Sequence, residues 1–286
     1  MANPNAQSVL ITGCSSGIGH ATAKALRDAG YRVFATARKT EDAARLSTEG
    51  FESLRLDLAD SRSIAEAVGE ILERTGGRLY GLFNNGGYGQ PGAVEDLSRD
   101  VLRAQFETNV FGAHELNTRV IPVMRTQGYG RIVQNSSVLG LIALPFRGAY
   151  TASKYALEGL YDTLRLELAG SGIHACLIEP GPVATRFRAN SYGAYLGTID
   201  PEASVHRSTY ETLVARLTRE GAAAPFTVDP DAVARKVLRA LQSPRPKPRY
   251  YVTVPAYAFA ALKRLLPGRA LDRVLLQVGA FERGRS

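Results

Sequence analysis

Short apolar runs alternate with longer amphipathic stretches over the first 180 residues of the chain. The runs lie at 8–12, 31–36, 53–56, 79–84, 131–137 and 173–179, and they are apolar nearly throughout. A strand covered on one face alternates apolar and polar side chains, whereas a strand covered on both faces does not. Between the runs, helical patterns occupy 17–30, 41–48, 61–74, 98–126 and 149–169. In the last of these, Leu157, Leu160, Leu164 and Leu168 recur at helical spacing and mark one apolar face. This alternation predicts an α/β fold: a doubly wound parallel sheet of Rossmann type, built as a single domain with crossover helices on both faces.

The pattern loosens after Pro180. Residues 183–226 carry Gly, Ser and Tyr with weak periodicity, too long for a simple connection, and read as a substrate loop or lid. A helix resumes at 229–242, with Asp229 or Asp231 as its cap near Pro230. The run PRPKPR then stiffens the chain ahead of a last strand at 250–254. Two short apolar-basic helices, divided at Pro267-Gly268, complete a tail at 255–286 behind a catalytic domain at 1–254.

Composition narrows the classes. With 45% hydrophobic and 22% charged residues, the chain is of ordinary globular make-up rather than disordered. No run reaches the ~18–20 apolar residues of a membrane span. The opening residues lack both a basic start and an apolar signal core, so a cytoplasmic protein is expected. Cys14 and Cys176 are too few for a disulfide framework, and His20, His114, His174 and His206 show no metal-ligand spacing, so no metal is expected. The net charge of +8 suggests a nucleic-acid binder until it is divided: from 235 onward twelve Lys and Arg face two acids, leaving 23 basic against 27 − 2 = 25 acidic residues before it. The excess belongs to the tail, where the basic residues are interleaved with leucines rather than with stacking aromatics, so no nucleic-acid partner is expected.

Candidate chemistry begins at Thr12-Gly13-Cys14-Ser15-Ser16-Gly17-Ile18-Gly19, between the first strand and the first helix. Glycines there let the backbone turn sharply and approach a pyrophosphate at the positive end of the helix. Past the second strand, where an acid would hold the 2′-hydroxyl of NAD, the chain reads Thr36-Ala37-Arg38-Lys39. A guanidinium at that place pairs with a 2′-phosphate, so Arg38 favours NADP(H). Further on, Tyr150 and Lys154 stand four residues apart at the start of a helix and share a face. A free phenol has a pKa of about 10, and bringing it to about 7 takes ~4 kcal/mol of differential stabilisation, which an adjacent cation can begin to supply.

Taken in order, several motifs resemble the short-chain dehydrogenase/reductase superfamily over about 8–254. They are the glycine turn, Asp57 after the third strand, Asn84-Asn85-Gly86-Gly87 after the fourth, Asn109 in Asn-Val-Phe-Gly, Ser136-Ser137, Tyr150-x3-Lys154 and Pro180-Gly181. The family usually has Ala where Gly86 stands. The resemblance implies that Tyr150 is the acid and base of the reaction and that Lys154 tunes it and holds the nicotinamide ribose. It implies that Ser137, thirteen residues before Tyr150, polarises the carbonyl, and that Asn109 holds a water leading to solvent. Cofactor contacts carried over with it are Gly13, Ser15, Ser16, Gly17, Ile18 and Gly19 in the turn, and Asp57, Leu58, Asn84 and Gly86 around the adenosine. Tyr150, Lys154, Pro180, Gly181, Val183 and Thr185 are the contacts at the nicotinamide end.

Cys-Ser-Ser in the turn, Glu179-Pro-Gly and the basic tail are similar to the branch that holds hydroxysteroid and retinol dehydrogenases. The expected function is an NADP(H)-dependent oxidoreductase on a hydrophobic ketone, aldehyde or alcohol; the alternative is a catalytically silent NADP-binding regulator. The resemblance also implies a homodimer or homotetramer joined through the helices at 98–126 and 149–169. For the tail two readings stand: packing over the substrate pocket or on a partner subunit, or peripheral contact with the inner membrane surface. Loop residues Tyr88, Gln90, Leu144, Phe146, Tyr192 and Tyr195 are candidates for the pocket lining.

Overall fold

The computed structural model describes residues 7–221 and 224–282. Six residues before Gln7, two within the expected lid, and the end of the basic tail with Arg283 and Arg285 lie outside them. Among the described residues, seven parallel strands form one sheet: β1 (Ser8–Ile11), β2 (Arg32–Ala37), β3 (Glu52–Arg55), β4 (Gly81–Asn84), β5 (Gly130–Asn135), β6 (Ile173–Glu179) and β7 (Arg249–Tyr251). Their spatial order is β3-β2-β1-β4-β5-β6-β7. Order therefore reverses direction between β1 and β4, and the crevice beyond their carboxyl ends is where such sheets take ligands.

The continuous apolar character of the strands is used on both faces. In β1, Leu10 points into one core with Ile64, Ala67, Val68 and Ile71 of α3 (Ser61–Arg74). Val9 and Ile11 point into the other, with Ala23 and Leu26 of α1 (Gly17–Asp28). Helix α2 (Thr40–Thr48) joins that second layer through Leu46. The chain between β4 and β5 departs from the single long helix expected at 98–126. It forms α4 (Arg99–Phe106), one wider turn at Glu107–Phe111, and α5 (Gly112–Gln127). Asn109 lies inside that wider turn. Helix α6 (Gly148–Glu167) follows, and with α5 it packs Leu116, Val120, Met124, Leu157 and Tyr161 against the sheet. The outer faces of these helices, where the resemblance places subunit pairing, leave Phe111, Tyr155, Leu160 and Leu166 exposed.

The insertion after β6 is helical rather than an open loop. It contains α7 (Phe187–Leu196) and α8 (Arg207–Thr218), which pack a small core of their own around Tyr195, Tyr210, Leu213 and Leu217. The sequence shows weak periodicity there because that core is shared with Ala93 and Ile199 from loops. Helix α9 (Pro230–Gln242) returns to the sheet through Val233, Val237 and Leu241, with Asp229 at its N-cap and Pro230 in its first turn. β7 ends earlier than expected, because Val254 opens α10 (Val254–Leu265) and Thr253 caps that helix by accepting from the Ala256 N–H. A second tail helix, α11 (Gly268–Glu282), sets Leu271, Leu275 and Val278 against Leu139, Ile142 and Leu144. The tail therefore packs over the mouth of the crevice, as the first of its two readings expects.

Candidate active site

A cavity of about 1140 Å³ opens at the carboxyl ends of β1, β4, β5 and β6. One end is walled by the turn between β1 and α1. Gly13 has a φ of +70°, which a side chain would strain, and a Cβ on it would stand 2.8 Å from the Gly86 Cα. At Gly19 the constraint is close approach: a Cβ would stand 2.2 Å from the Gly13 carbonyl oxygen. Gly13, Ser15, Ser16, Gly17 and Ile18 face the cavity, whereas Gly19 is buried beneath the turn. Ser16 occupies the N-cap of α1 with no side-chain hydrogen bond among the described residues, and the first turn of the helix holds no acid. Its N–H groups are thus left for an anion, which is what the helix dipole favours at that end.

The turn is tied to the opposite wall by side-chain amides. Thr12 Oγ1 accepts from the N–H groups of Asn85 and Gly86 at 3.0 and 2.9 Å. Asn85 Nδ2 donates to the carbonyls of Thr12 and Gly13 at 3.0 and 3.2 Å, and its Oδ1 accepts from Asn135 Nδ2 at 3.0 Å. The Asn135 carbonyl in turn accepts from Lys154 Nζ at 2.8 Å. Lys154 also lies over the Tyr150 ring, 5.4 Å from its centroid. Ser137, at the end of β5, lies near enough to the Tyr150 phenol to favour its anion and accepts from the Leu139 N–H at 3.1 Å. Ser137, Tyr150 and Lys154 all line the cavity, together with Pro180, Gly181, Val183 and Thr185 from the loop after β6.

The sequence that builds this site matches known proteins over most of its length. Residues 7–195 match the family described as short chain dehydrogenase. The chain belongs to the short-chain dehydrogenase family. It is 46% identical over 269 residues to the uncharacterized oxidoreductase YbbO of Escherichia coli (strain K12), covering 94% of each chain. It is 36% identical to human 17-beta-hydroxysteroid dehydrogenase type 1, covering 86% of this chain and 77% of that protein. To the NADPH-dependent 3-dehydrocapnine reductase of Ornithobacterium rhinotracheale it is 32% identical, covering 93% and 94%.

Within this dehydrogenase, burial decides the electrostatics. Burial pushes the Tyr150 phenol up to about 12, against the lowering effects of Ser137 and of the nearby Arg147 guanidinium. Lys154 is not among the groups that lower the phenol; its ammonium donates to the Asn135 carbonyl. Burial also pulls Lys154 down to about 8, opposed by the Glu158 carboxylate one turn along α6.

Not every residue expected at the cofactor reaches the cavity. Asn84 is 2% exposed, and its Nδ2 is spent on Asn117 Oδ1 and the Tyr161 hydroxyl, both at 2.9 Å. Asn85 stands at the cavity in its place. The two neighbours point to opposite faces as successive strand residues do, and the motif alone did not say which faces in. Asn109 is buried too; its amide donates to the Tyr88 carbonyl at 2.9 Å and to Ser153 Oγ at 3.2 Å, and accepts from the Tyr88 N–H at 3.1 Å. It holds the loop after β4 rather than facing the cavity. Asp57 accepts from the Ala59 N–H at 3.1 Å, and Leu58 is buried beside the position a Gly86 Cβ would take. Arg38 is exposed beyond β2, with its charge felt at the Tyr88 phenol.

Of the loop aromatics, Phe146 lines the cavity along with Gln90 and Leu144, while Tyr195 is buried in the lid's own core with Tyr192 packed beside it. Phe146 holds a φ of +63° and packs edge-on to His206 and Tyr210 of the lid. Sequence reasoning missed Asn135, which holds Lys154 through its main-chain carbonyl and Asn85 through its side-chain amide. It also missed Pro255, Phe259 and Val278, which bring the tail helices to the cavity wall.

The buried ammonium gives a stability test. The folded chain holds the Lys154 proton less tightly than the unfolded chain, whose lysine pKa is about 10.4. The resulting cost is fully present below about 8 and is relieved as pH rises toward that of the unfolded chain. Lys154→Met is therefore expected to melt above the wild type at pH 7, by on the order of 3 kcal/mol, with the gap closing above about pH 10. Thermal melts at both pH values check this, and a variant that melts lower at pH 7 contradicts it.

Proposed function

We propose that this dehydrogenase interconverts an apolar ketone or aldehyde and the corresponding alcohol, using NADP(H). The observation that carries the reading is the convergence of Tyr150, Ser137 and Lys154 on one wall of a cavity whose far end is the glycine turn. The residues suit the dinucleotide: uncapped N–H groups at the start of α1 would hold its pyrophosphate, and Arg38, exposed beyond β2, would pair with the 2′-phosphate. The relative that is NADPH-dependent by name supports the same choice. The alternative of a silent regulator has no observation in its favour.

When bound, the nicotinamide supplies or accepts the hydride. The chain does the rest. Ser137 donates to the substrate oxygen and holds it beside Tyr150. The Tyr150 hydroxyl gives its proton to that oxygen in reduction and takes it back in oxidation. Lys154, fixed by Asn135, keeps positive charge beside the phenol and stabilises its anion. Burial holds the phenol up at about 12, and Ser137 and Arg147 act against it. Leu139, Ile142, Leu144, Phe187 and Phe259 give the substrate end apolar walls, so the substrate is recognised by burial rather than by charge. A turnover screen of apolar carbonyl compounds with NADPH and with NADH tests this. NADPH is expected to be preferred, and Arg38→Ala to erode that preference by about ten- to a hundredfold, the value of one charge-assisted hydrogen bond of about 1.5–3 kcal/mol. A wild type that prefers NADH, or a variant that keeps the preference, contradicts the assignment.

A specific observation favours a membrane-surface role for the tail as well. The outer face of α10 leaves Val254, Tyr257 and Leu265 exposed with Arg264, while Pro255 and Phe259 of the same helix wall the cavity and Lys263 reaches Tyr155 of α6. Among the described residues no helix is long and apolar enough to cross a membrane. We read this face as a reversible contact with an anionic bilayer, where apolar substrates concentrate; each basic residue near such a surface contributes ~1 kcal/mol. Flotation with liposomes is expected to require anionic lipid and to weaken with salt. Equal flotation on neutral liposomes, or none on anionic ones, sinks this reading.

A further inference from the structure

Beneath the cavity lies a group of charges that the reaction does not use. The Arg249 guanidinium, on β7, meets three carboxylates: Glu158 Oε2 at 2.9 Å, Asp162 Oδ2 at 2.7 Å and Glu179 Oε1 at 3.0 Å. Asp162 has Arg165 as a second partner at 3.2 Å and is 40% exposed. Glu158 and Glu179 have no such relief. The Glu158 side chain is 10% exposed and that of Glu179 is fully buried. Two buried carboxylates facing one guanidinium cannot both stay charged without leaving an uncompensated buried anion. Ser136 donates to Glu158, and Arg249 donates to it twice. Neither oxygen of Glu179 receives a well-aligned hydrogen bond from any described residue, although Arg249 Nε lies 3.0 Å from its Oε1. Of the two, Glu179 is the one built to be neutral.

The cluster sits at joints of the active site. Ser136 precedes Ser137, Glu158 stands one helical turn after Lys154, and Glu179 precedes Pro180-Gly181. The Pro180 carbonyl accepts from the Val138 N–H at 2.9 Å, so the end of β6 is bonded to the turn that carries Ser137. We propose that Glu179 is a positioning residue: a buried carboxylic acid that stays neutral beside the Glu158–Arg249 ion pair and thereby holds the Pro180–Thr185 loop and Ser137 in register with Lys154. This deepens the functional reading above and rests on it for the roles of Ser137 and Lys154. The other groups facing the cluster are Tyr251, whose phenol feels both glutamates and Arg249, and Arg264 of α10 behind it. Both glutamates are raised by burial, Glu179 to about 8.

The proton has a sign that can be measured. The folded chain keeps it above the usual carboxylate range while the unfolded chain releases it, so this stability is full below about pH 4 and is lost as pH rises through about 8. Wild-type melting temperature is expected to fall between pH 6 and 9, and Glu179→Gln, whose amide stands for the neutral acid, is expected to flatten that fall. NADPH affinity, read by fluorescence titration without any turnover, is expected to drop several-fold more in the wild type than in Glu179→Gln from pH 7 to 9, the titration of Lys154 being common to both. Glu179→Ala is expected to weaken NADPH binding at pH 7 by tenfold or more, with Glu179→Gln restoring most of it. Parallel pH profiles for wild type and Glu179→Gln, or a Gln variant as impaired as the Ala variant, overturn the proposal. A wild type that binds NADPH but reduces no carbonyl compound overturns the functional reading instead, and the melting and binding profiles still decide the role of Glu179.

Discussion

A positive charge buried on a main-chain carbonyl organises this molecule. Lys154 Nζ reaches the Asn135 oxygen, Asn135 reaches Asn85, and Asn85 reaches the two carbonyls that shape the glycine turn. One hydrogen-bonded line thus joins the start of α6, the ends of β5 and β4, and the turn after β1. The line can form only because the sheet places β4 between β1 and β5 with their carboxyl ends level. A buried ammonium is costly unless paired, and the structure meets that cost with a carbonyl at one side and the Glu158 carboxylate one turn away. Stability is given up at Lys154 so that charge stands beside Tyr150, a familiar exchange at active sites.

Most of the fold was legible because it depends on local rules. Strands that are apolar throughout announce two covered faces, and β1 shows the reason: Leu10 serves one core while Val9 and Ile11 serve the other. The pair Tyr150 and Lys154 was legible from spacing, since the two share a helix face, and Ser137 from the family resemblance; the structure lines one cavity with all three. What escaped depends on distant contacts. The break at Glu107–Phe111 carries no proline or glycine of its own; Asn109 within it binds the backbone of Tyr88, a residue on another loop. The helices of the lid have weak periodicity because their core includes Ala93 and Ile199, which no helical repeat marks. Asn84 and Asn85 are alike as residues, and only the direction of the strand end decides that the first faces Tyr161 and the second the cavity.

The pKa of Tyr150 was the least legible property. Sequence spacing puts a cation beside the phenol, but the balance of burial against charge is set by everything around the pair. Burial prevails. The lid and tail add to that burial: Phe187 of α7 packs edge-on against the Tyr150 ring, and Leu271 and Val278 of α11 pack in the same cluster as Tyr150. The segments least regular in sequence therefore do much to set the chemistry of the most recognisable residue. Enclosure of this kind excludes water from the reacting oxygen and strengthens each charge within the site.

The central claim is that one phenol moves the proton while other residues hold the cofactor. Comparison of Tyr150→Phe with the wild type tests it most directly, through NADPH binding by fluorescence titration and turnover of an apolar carbonyl compound on the same preparations. The account predicts NADPH affinity within a few-fold of the wild type and turnover reduced by at least a hundredfold, the scale of a positioned acid. A Tyr150→Phe variant that keeps wild-type turnover contradicts it.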